Sequence, residues 1–490
     1  MKTKQYRFLL LLLLWGLMVF EGLQAQTQVG NAIVGVGSND RLGSEVALSA
    51  DGNIMVVSAV RAMNTMGVVG IYEYVGTDWV QLGGDIVGEA MGDESGSSLD
   101  ISDDGMRVAI GAPLNDGNGA NAGHVRIYGY DGMSWVQLGS DIDGESAGDV
   151  SGFSVSLSGD GARVAIGATL NSDAGSNAGH VRVFEYDGTE WEQLGADIDG
   201  TSGNSFTGSE VALSSDGDIV LVSAPAYNDN RGAVRVYEYA SGTWFQKGLA
   251  IEGINEGESV GIRAVLSGDG SRFALHRRGE DSVSSNLVQV YAFDGAVWVQ
   301  LGENILAADE FEGFGSDIAL SASGKRVVIG AELSSEADDD AGKMQVYEYE
   351  NGVWGQVGAN ILGPIRYASL GVAVAIDRSG NRVAGGAPFY GLNGETAGWA
   401  GVYELGYPTS IGSSLEEGES IRLYPNPTAD ALFVEGGEGL YYEVLDGVGR
   451  LLQKGQLDGG AIRLGLLPRG MYCIRLGDDG GSLARWVMRY

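Results

Sequence analysis

The chain repeats itself. The stretch "RVAIGAPLNDGNGANAGHVRIYGYDGMSWVQLGSDIDGE" from Arg107 returns 56 residues later, from Arg163, as "RVAIGATLNSDAGSNAGHVRVFEYDGTEWEQLGADIDGT". A phrase recurring at a period of this length restricts the chain to a solenoid, a propeller or an array of small units. Alignment on "QLG" places copies at Gln28, Gln81, Gln137, Gln193, Gln246, Gln300 and Gln356, in steps of 53 to 56 residues. Each of the last six glutamines stands two residues after a tryptophan: Trp79, Trp135, Trp191, Trp244, Trp298 and Trp354.

The third copy predicts the strands within one unit. "FSVSLSGDG" alternates and ends in Asp-Gly; "ARVAIGA", "GHVRVFEY" and "WEQLGADIDG" follow as second, third and fourth strands. The Asp-Gly pairs at Asp51, Asp104, Asp160, Asp216 and Asp269 predict type I′ hairpins. The sixth and seventh copies carry Ser323-Gly324 and Ser379-Gly380, so the turn needs the glycine more than the carboxylate. Four antiparallel strands per copy, without helical periodicity, predict an all-β, seven-bladed propeller with four-stranded blades over residues 26–407. The last copy stops before a fourth strand, and the chain carries an orphan one, "QVGNAIVG", at Gln28. That orphan is expected to close the last blade, which hides its edge.

"FGSDIALSASGKRVVIGA" at Phe314, with "IGAP" at Ile110, "SAP" at Ser223 and "GGAP" at Gly385, resembles the FG-GAP repeats of integrin α-subunit propellers. The resemblance covers nearly all of residues 28–407 and implies the same seven-bladed fold. Several blades of that family carry a DxDxDG calcium loop between the first two strands, where this chain has short turns such as "SGDG".

Residues 1–25 read as a secretory signal peptide: Lys2, Lys4 and Arg7 precede an apolar run from Phe8 to Phe20, and "LQA" ends at Ala25. That run is short for a bilayer, and no other segment approaches spanning length, so the mature chain is expected to lack a transmembrane anchor. After Tyr407 the composition changes. A polar linker, 408–420, leads to alternating strands over 421–490 that suit a small β-sandwich. This segment resembles the type A sorting domain of the type IX secretion system, through Tyr424, Pro425, Asn426, Pro427 and Thr428, then Gly449 and Arg450, then Leu467, Pro468, Gly470 and Tyr472. The resemblance implies the secretion machinery as a partner and export across both membranes of a Gram-negative envelope. It also implies a tail that is usually removed, and a cargo often fixed to lipopolysaccharide.

The formal net charge of −35 argues against nucleic acid as a partner, because phosphate binding needs clustered Lys and Arg. Cys473 is the single cysteine, which excludes an intrachain disulfide; its apolar setting "GMYCIRL" reads as a buried structural thiol.

Few residues suggest chemistry. In the fifth copy "ALHRRGEDS" replaces "AIGAP", so His276, Arg277 and Arg278 form a local positive cluster that suits an anionic ligand such as a uronic acid. Asp141, Asp143, Glu145 and Asp149, in "DIDGESAGD", form a candidate calcium set, because calcium takes six to eight oxygens from such loops. No other cofactor is indicated. His124 and His180 share one repeat position, "AGHVR", and read as partly exposed residues at strand starts. The tryptophans read as blade-to-blade packing rather than a sugar platform.

No HExxH or phosphate-cradling loop is present, and the expectation is a non-enzymatic, surface-displayed binding or adhesion protein with an extracellular protein or glycan partner. The alternatives are a polysaccharide-active propeller enzyme and a structural surface component. Close carboxylates or Arg in the central channel would favour the enzyme; a smooth channel with buried tryptophans would favour the others.

Overall fold

The computed structural model describes residues 26–279, 286–308, 312–391 and 395–405, and parts of 422–489. The expected signal peptide and linker lie outside the described residues. The chain divides into two compact units, Met1–Gly406 and Tyr407–Tyr490.

The first unit is a seven-bladed propeller. Blade 3 shows the plan: an inner strand (Ser151–Leu157), then Arg163–Ala168, His180–Tyr186 and an outer strand (Trp191–Gln193), all antiparallel. A further two-residue strand, Ile198–Asp199, pairs back onto the third strand beside the outer one. The single fourth strand expected from "WEQLGADIDG" is therefore two separate strands. The second strands are apolar without alternation because neighbouring blades cover both faces. Val164 and Ala165 have no exposure and Ile166 has 1%.

Three devices recur at the joins between blades. Glycine provides the first: a Cβ on Gly167, Gly330 or Gly386 would lie 2.0 to 2.1 Å from the carbonyl oxygen of Gly208, Gly371 or Gly43 on the following inner strand. This contact is the physical reason for the glycine in "IGA". Arginine provides the second. Arg107, Arg326 and Arg382 each donate to a carbonyl in the hairpin turn of the following blade: Gly161, Gly380 and Gly52, at 3.0 to 3.1 Å. Tryptophan provides the third, since all six repeat indoles donate Nε1–H to a carbonyl of the preceding copy at 2.7 to 2.8 Å. Their position is thus one of inter-blade packing.

The hairpins differ from the expected type I′ turns. Ser49 N–H bonds Ile54 O at 2.9 Å, leaving four residues between them, and only Gly52 is left-handed (φ 66°). Asp51 accepts from Ser49 Oγ (2.7 Å) and Asn53 N–H (2.9 Å), so the aspartate acts through its side chain rather than its backbone.

The ring closes as the orphan strand suggested. Thr27 and Gln28 pair with Glu404 and Tyr403, and Ile33 and Val34 pair with Ala400 and Trp399, completing blade 7. Trp79 of blade 1 then donates to Val29 O across the seam. At the turn end of the inner strands a second ring forms. Ala50, Asp103, Gly159, Ser215, Gly268, Ala322 and Arg378 each donate N–H to the carbonyl of the next, and Arg378 returns to Ala50, at 2.7 to 3.2 Å. The Arg378 guanidinium also pairs with the Asp103 carboxylate.

The C-terminal unit holds a three-stranded sheet (Arg422–Tyr424, Ala431–Glu435, Ala461–Arg463) and a four-stranded one (Leu451–Gln456, Tyr441–Leu445, Gly470–Asp478, Gly481–Arg489). Ile462 of the first sheet and Val444 and Ile474 of the second are fully buried. Tyr424, Gly470, Tyr472 and Cys473 lie in strands; Pro425, Asn426, Pro427 and Pro468 lie outside the described residues. Among the described residues no helix is long and apolar enough to cross a membrane.

Candidate functional site: the axial cavity

Each inner strand opens with a left-handed glycine: Gly43, Gly96, Gly152, Gly208, Gly261, Gly315 and Gly371, with φ between 80° and 100°. Two residues further on stand Glu45, Ser98, Ser154, Glu210, Arg263, Asp317 and Ala373. The first six, one from each of blades 1 to 6, line a cavity of 350 Å³. Residues from six inner strands meet only about the propeller axis, so this cavity is axial. Its volume falls in the range of small-molecule sites.

Arg263 is its chemical centre. Its Nη1 donates to Glu210 Oε1 at 2.8 Å, its Nε donates to Ser316 O at 2.8 Å, and Asp317 Oδ1 lies 3.6 Å away. The side chains of Arg263, Glu210 and Asp317 keep 36%, 23% and 21% exposure, so they remain reachable from the cavity. Burial pushes the Glu210 carboxyl up to about 7 against the pull of Arg263. Burial and the nearby Asp317 charge push Glu45 well above the usual carboxylate range, and burial raises Asp317. Ser98 and Ser154 donate to the carbonyls of Gly152 and Gly208, at 2.8 Å each. Phe153, 47% exposed, adds a ring to the lining.

Sequence reasoning did not single out these residues. The available signal was one variable position, two after the inner-strand glycine, inside an otherwise regular copy.

The residues it did single out are placed otherwise. His276 is buried (5% exposed), against Gly315 of the next blade. Burial and the Arg263 charge lower it to about 4, so it is neutral at ordinary pH. Arg277 pairs with the Glu258 carboxylate, which has no exposure. Only Arg278 faces solvent. The positive cluster expected for an anion is therefore divided among an internal ring, a neutralised guanidinium and one exposed arginine.

The four carboxylates of the calcium set do not converge either. Asp141 receives Arg126 Nε and Nη2 at 2.8 and 2.6 Å, and Glu89 also pairs with Arg126. Asp149 caps its own turn, accepting from Ser146 N–H at 2.9 Å and from Asn171 Nδ2 at 3.2 Å. Asp143 is raised by burial, and Glu145 faces the next blade's His180. Such a division supplies no shell of six to eight oxygens around one point. His124 and His180 are also more deeply buried than expected, at 3% and 1% exposure.

Residues 422–488 match the model of the secretion system C-terminal sorting domain. Hence this is an exported protein of a Gram-negative bacterium, secreted or held on the outer surface, with a propeller as its larger unit. No curated protein matches the chain. Among solved structures, hydrazine synthase of Kuenenia stuttgartiensis is similar at a TM-score of 0.48 and 13% identity, covering 72% of this chain and 94% of that one.

Proposed function

We propose that this exported propeller is a binding protein that takes the end of a glycan into its axial cavity. The observation that carries the reading is the lining itself: Glu45, Glu210, Asp317 and Arg263 offer hydrogen-bonding charges, and Phe153 offers an apolar face. Sugar hydroxyls suit carboxylate and guanidinium partners, and the C–H face of a pyranose suits an aromatic ring. The integrin-like phrases of the repeat support a role in recognition at a cell surface. The acidic surface supports a neutral rather than a polyanionic glycan.

A second reading, a glycan-cleaving enzyme, draws on the close carboxylates and arginine of the central channel, the arrangement expected to favour it, and on the raised carboxyls. A Glu held protonated near neutrality beside an ionised carboxylate is the pairing that glycoside hydrolysis uses. Arg263 weighs against it, because its bond to Glu210 favours the ionised form of the group that would serve as acid.

A glycan array probed with the full chain, alongside Phe153→Ala and Arg263→Ala, tests the proposal. Selective binding lost in both variants supports it; binding unchanged in both overturns it. Release of reducing ends from a bound glycan, absent in Glu210→Gln, would replace it with the enzyme.

A further inference from the structure

Blades 2 and 3 place the same three residue types at equivalent positions. Glu89, His124 and Asp141 form one cluster; Glu145, His180 and Asp197 form the other, and within each the ligand atoms lie within 4.8 Å of one another. In each, the first glutamate comes from the connection leading into the blade, and the histidine starts its third strand.

The two clusters are finished differently. In the first, Arg126 lies between the carboxylates and bonds both, so their charge is already answered. In the second, the equivalent Arg182 is divided: its Nη2 donates to Asp143 O at 2.6 Å, its guanidinium covers the Phe184 ring, and it reaches the cluster only through a longer ion pair with Glu145. Arg182 Nη1 stays 3.6 Å from Glu145 Oε1. Asp197 keeps one hydrogen bond, to Oδ1 from Gln193 Nε2 at 2.6 Å. Its Oδ2 and Glu145 Oε2 each lie 3.8 Å from His180 Nδ1, beyond hydrogen-bonding distance. His180 is 1% exposed, and neither of its ring nitrogens has a hydrogen-bond partner among the described residues. A buried imidazole with two idle nitrogens is costly unless something completes it.

We infer that Glu145, His180 and Asp197 hold a divalent transition-metal ion of the zinc type. A neutral imidazole nitrogen and two carboxylate oxygens make a three-ligand set that leaves a position for water or a ligand. The nitrogen favours zinc over calcium, which takes oxygen. Asp149 and Asp199 add further negative charge beside the cluster, and Arg182 is the one opposing cation among the described groups acting on His180.

The test is zinc content per chain, measured on the untagged full chain after incubation with zinc and desalting. One zinc per chain, lost in His180→Ala and in Asp197→Asn but kept in His124→Ala, supports the site. No bound zinc in the wild type, or zinc unaffected by His180→Ala and Asp197→Asn, overturns it. Far-UV circular dichroism shows whether each variant folds. Independently of any variant, zinc is expected to raise the melting temperature of the wild type while equimolar calcium does not; equal effects of the two ions would also overturn the assignment.

Discussion

Arg382 of blade 7 donates from Nη1 to the carbonyl of Gly52 at 3.1 Å and to Asn53 Oδ1 at 2.6 Å, joining the last blade to the first across the seam. Arg272 makes the equivalent bonds within the ring at 3.2 and 3.4 Å, to Ser323 O and Gly324 O. Hydrogen bonds from a charged donor contribute about 1.5–3 kcal/mol each. Arg382→Ala is expected to lower unfolding free energy by about that much, and by more than Arg272→Ala. Urea denaturation of both variants checks the order.

Deleting residues 26–36 removes the two short strands paired to Trp399–Glu404. Blade 7 then presents an unpaired edge, and Trp79 loses the carbonyl of Val29. The expected result is a lower melting temperature and self-association. Light scattering after size exclusion reads both the mass and the fraction still monomeric.

Glu210 links stability to pH. Its carboxyl titrates near 7 in the folded chain and near 4.3 when unfolded. Between these values the folded chain holds a proton that the unfolded chain has released. Its contribution is therefore complete in acid and is lost as pH rises through about 7. His276 acts in the opposite sense: with its folded value lowered to about 4, stability is gained as pH rises from there toward 6.5. Glu210→Gln removes only the first effect, so its melting temperature relative to wild type should rise from about pH 5 to about pH 7. A constant difference would show that Glu210 is unperturbed.

Gly330→Ala would place a methyl 2.0 Å from Gly371 O. Overpacking of this kind costs about 1–3 kcal/mol. Gly355, with ordinary φ and nothing within 4 Å of a built Cβ, is the control. Gly355→Ala should leave stability unchanged or slightly higher, as followed by thermal melting.

The period, the tryptophans and the orphan strand made the ring legible in advance, because each acts through residues close in sequence or through the repeat itself. The axial lining was not legible. Glu45, Glu210, Arg263 and Asp317 are separated by whole repeats and meet only because seven inner strands converge. The misplaced emphasis on Arg277 has a related cause. Its partner Glu258 lies 19 residues earlier, in the connection between blades, and one cation looks free until that loop is folded back on it. Asp141 and Glu145 looked like one calcium loop because they are neighbours in sequence, yet successive turns of the chain deliver them to different blades.

The peptide ring from Ala50 to Arg378 behaves as a hoop. Each of its seven residues is donor to one neighbour and acceptor from the other, so a peptide that swings out breaks bonds to two blades at once. Loosening there cannot be confined to one repeat, even though blades are built as separate sheets. The amides of Gly159 and Gly268, both in turns, are accordingly expected to exchange with solvent only in step with opening of the whole ring, as core strands do.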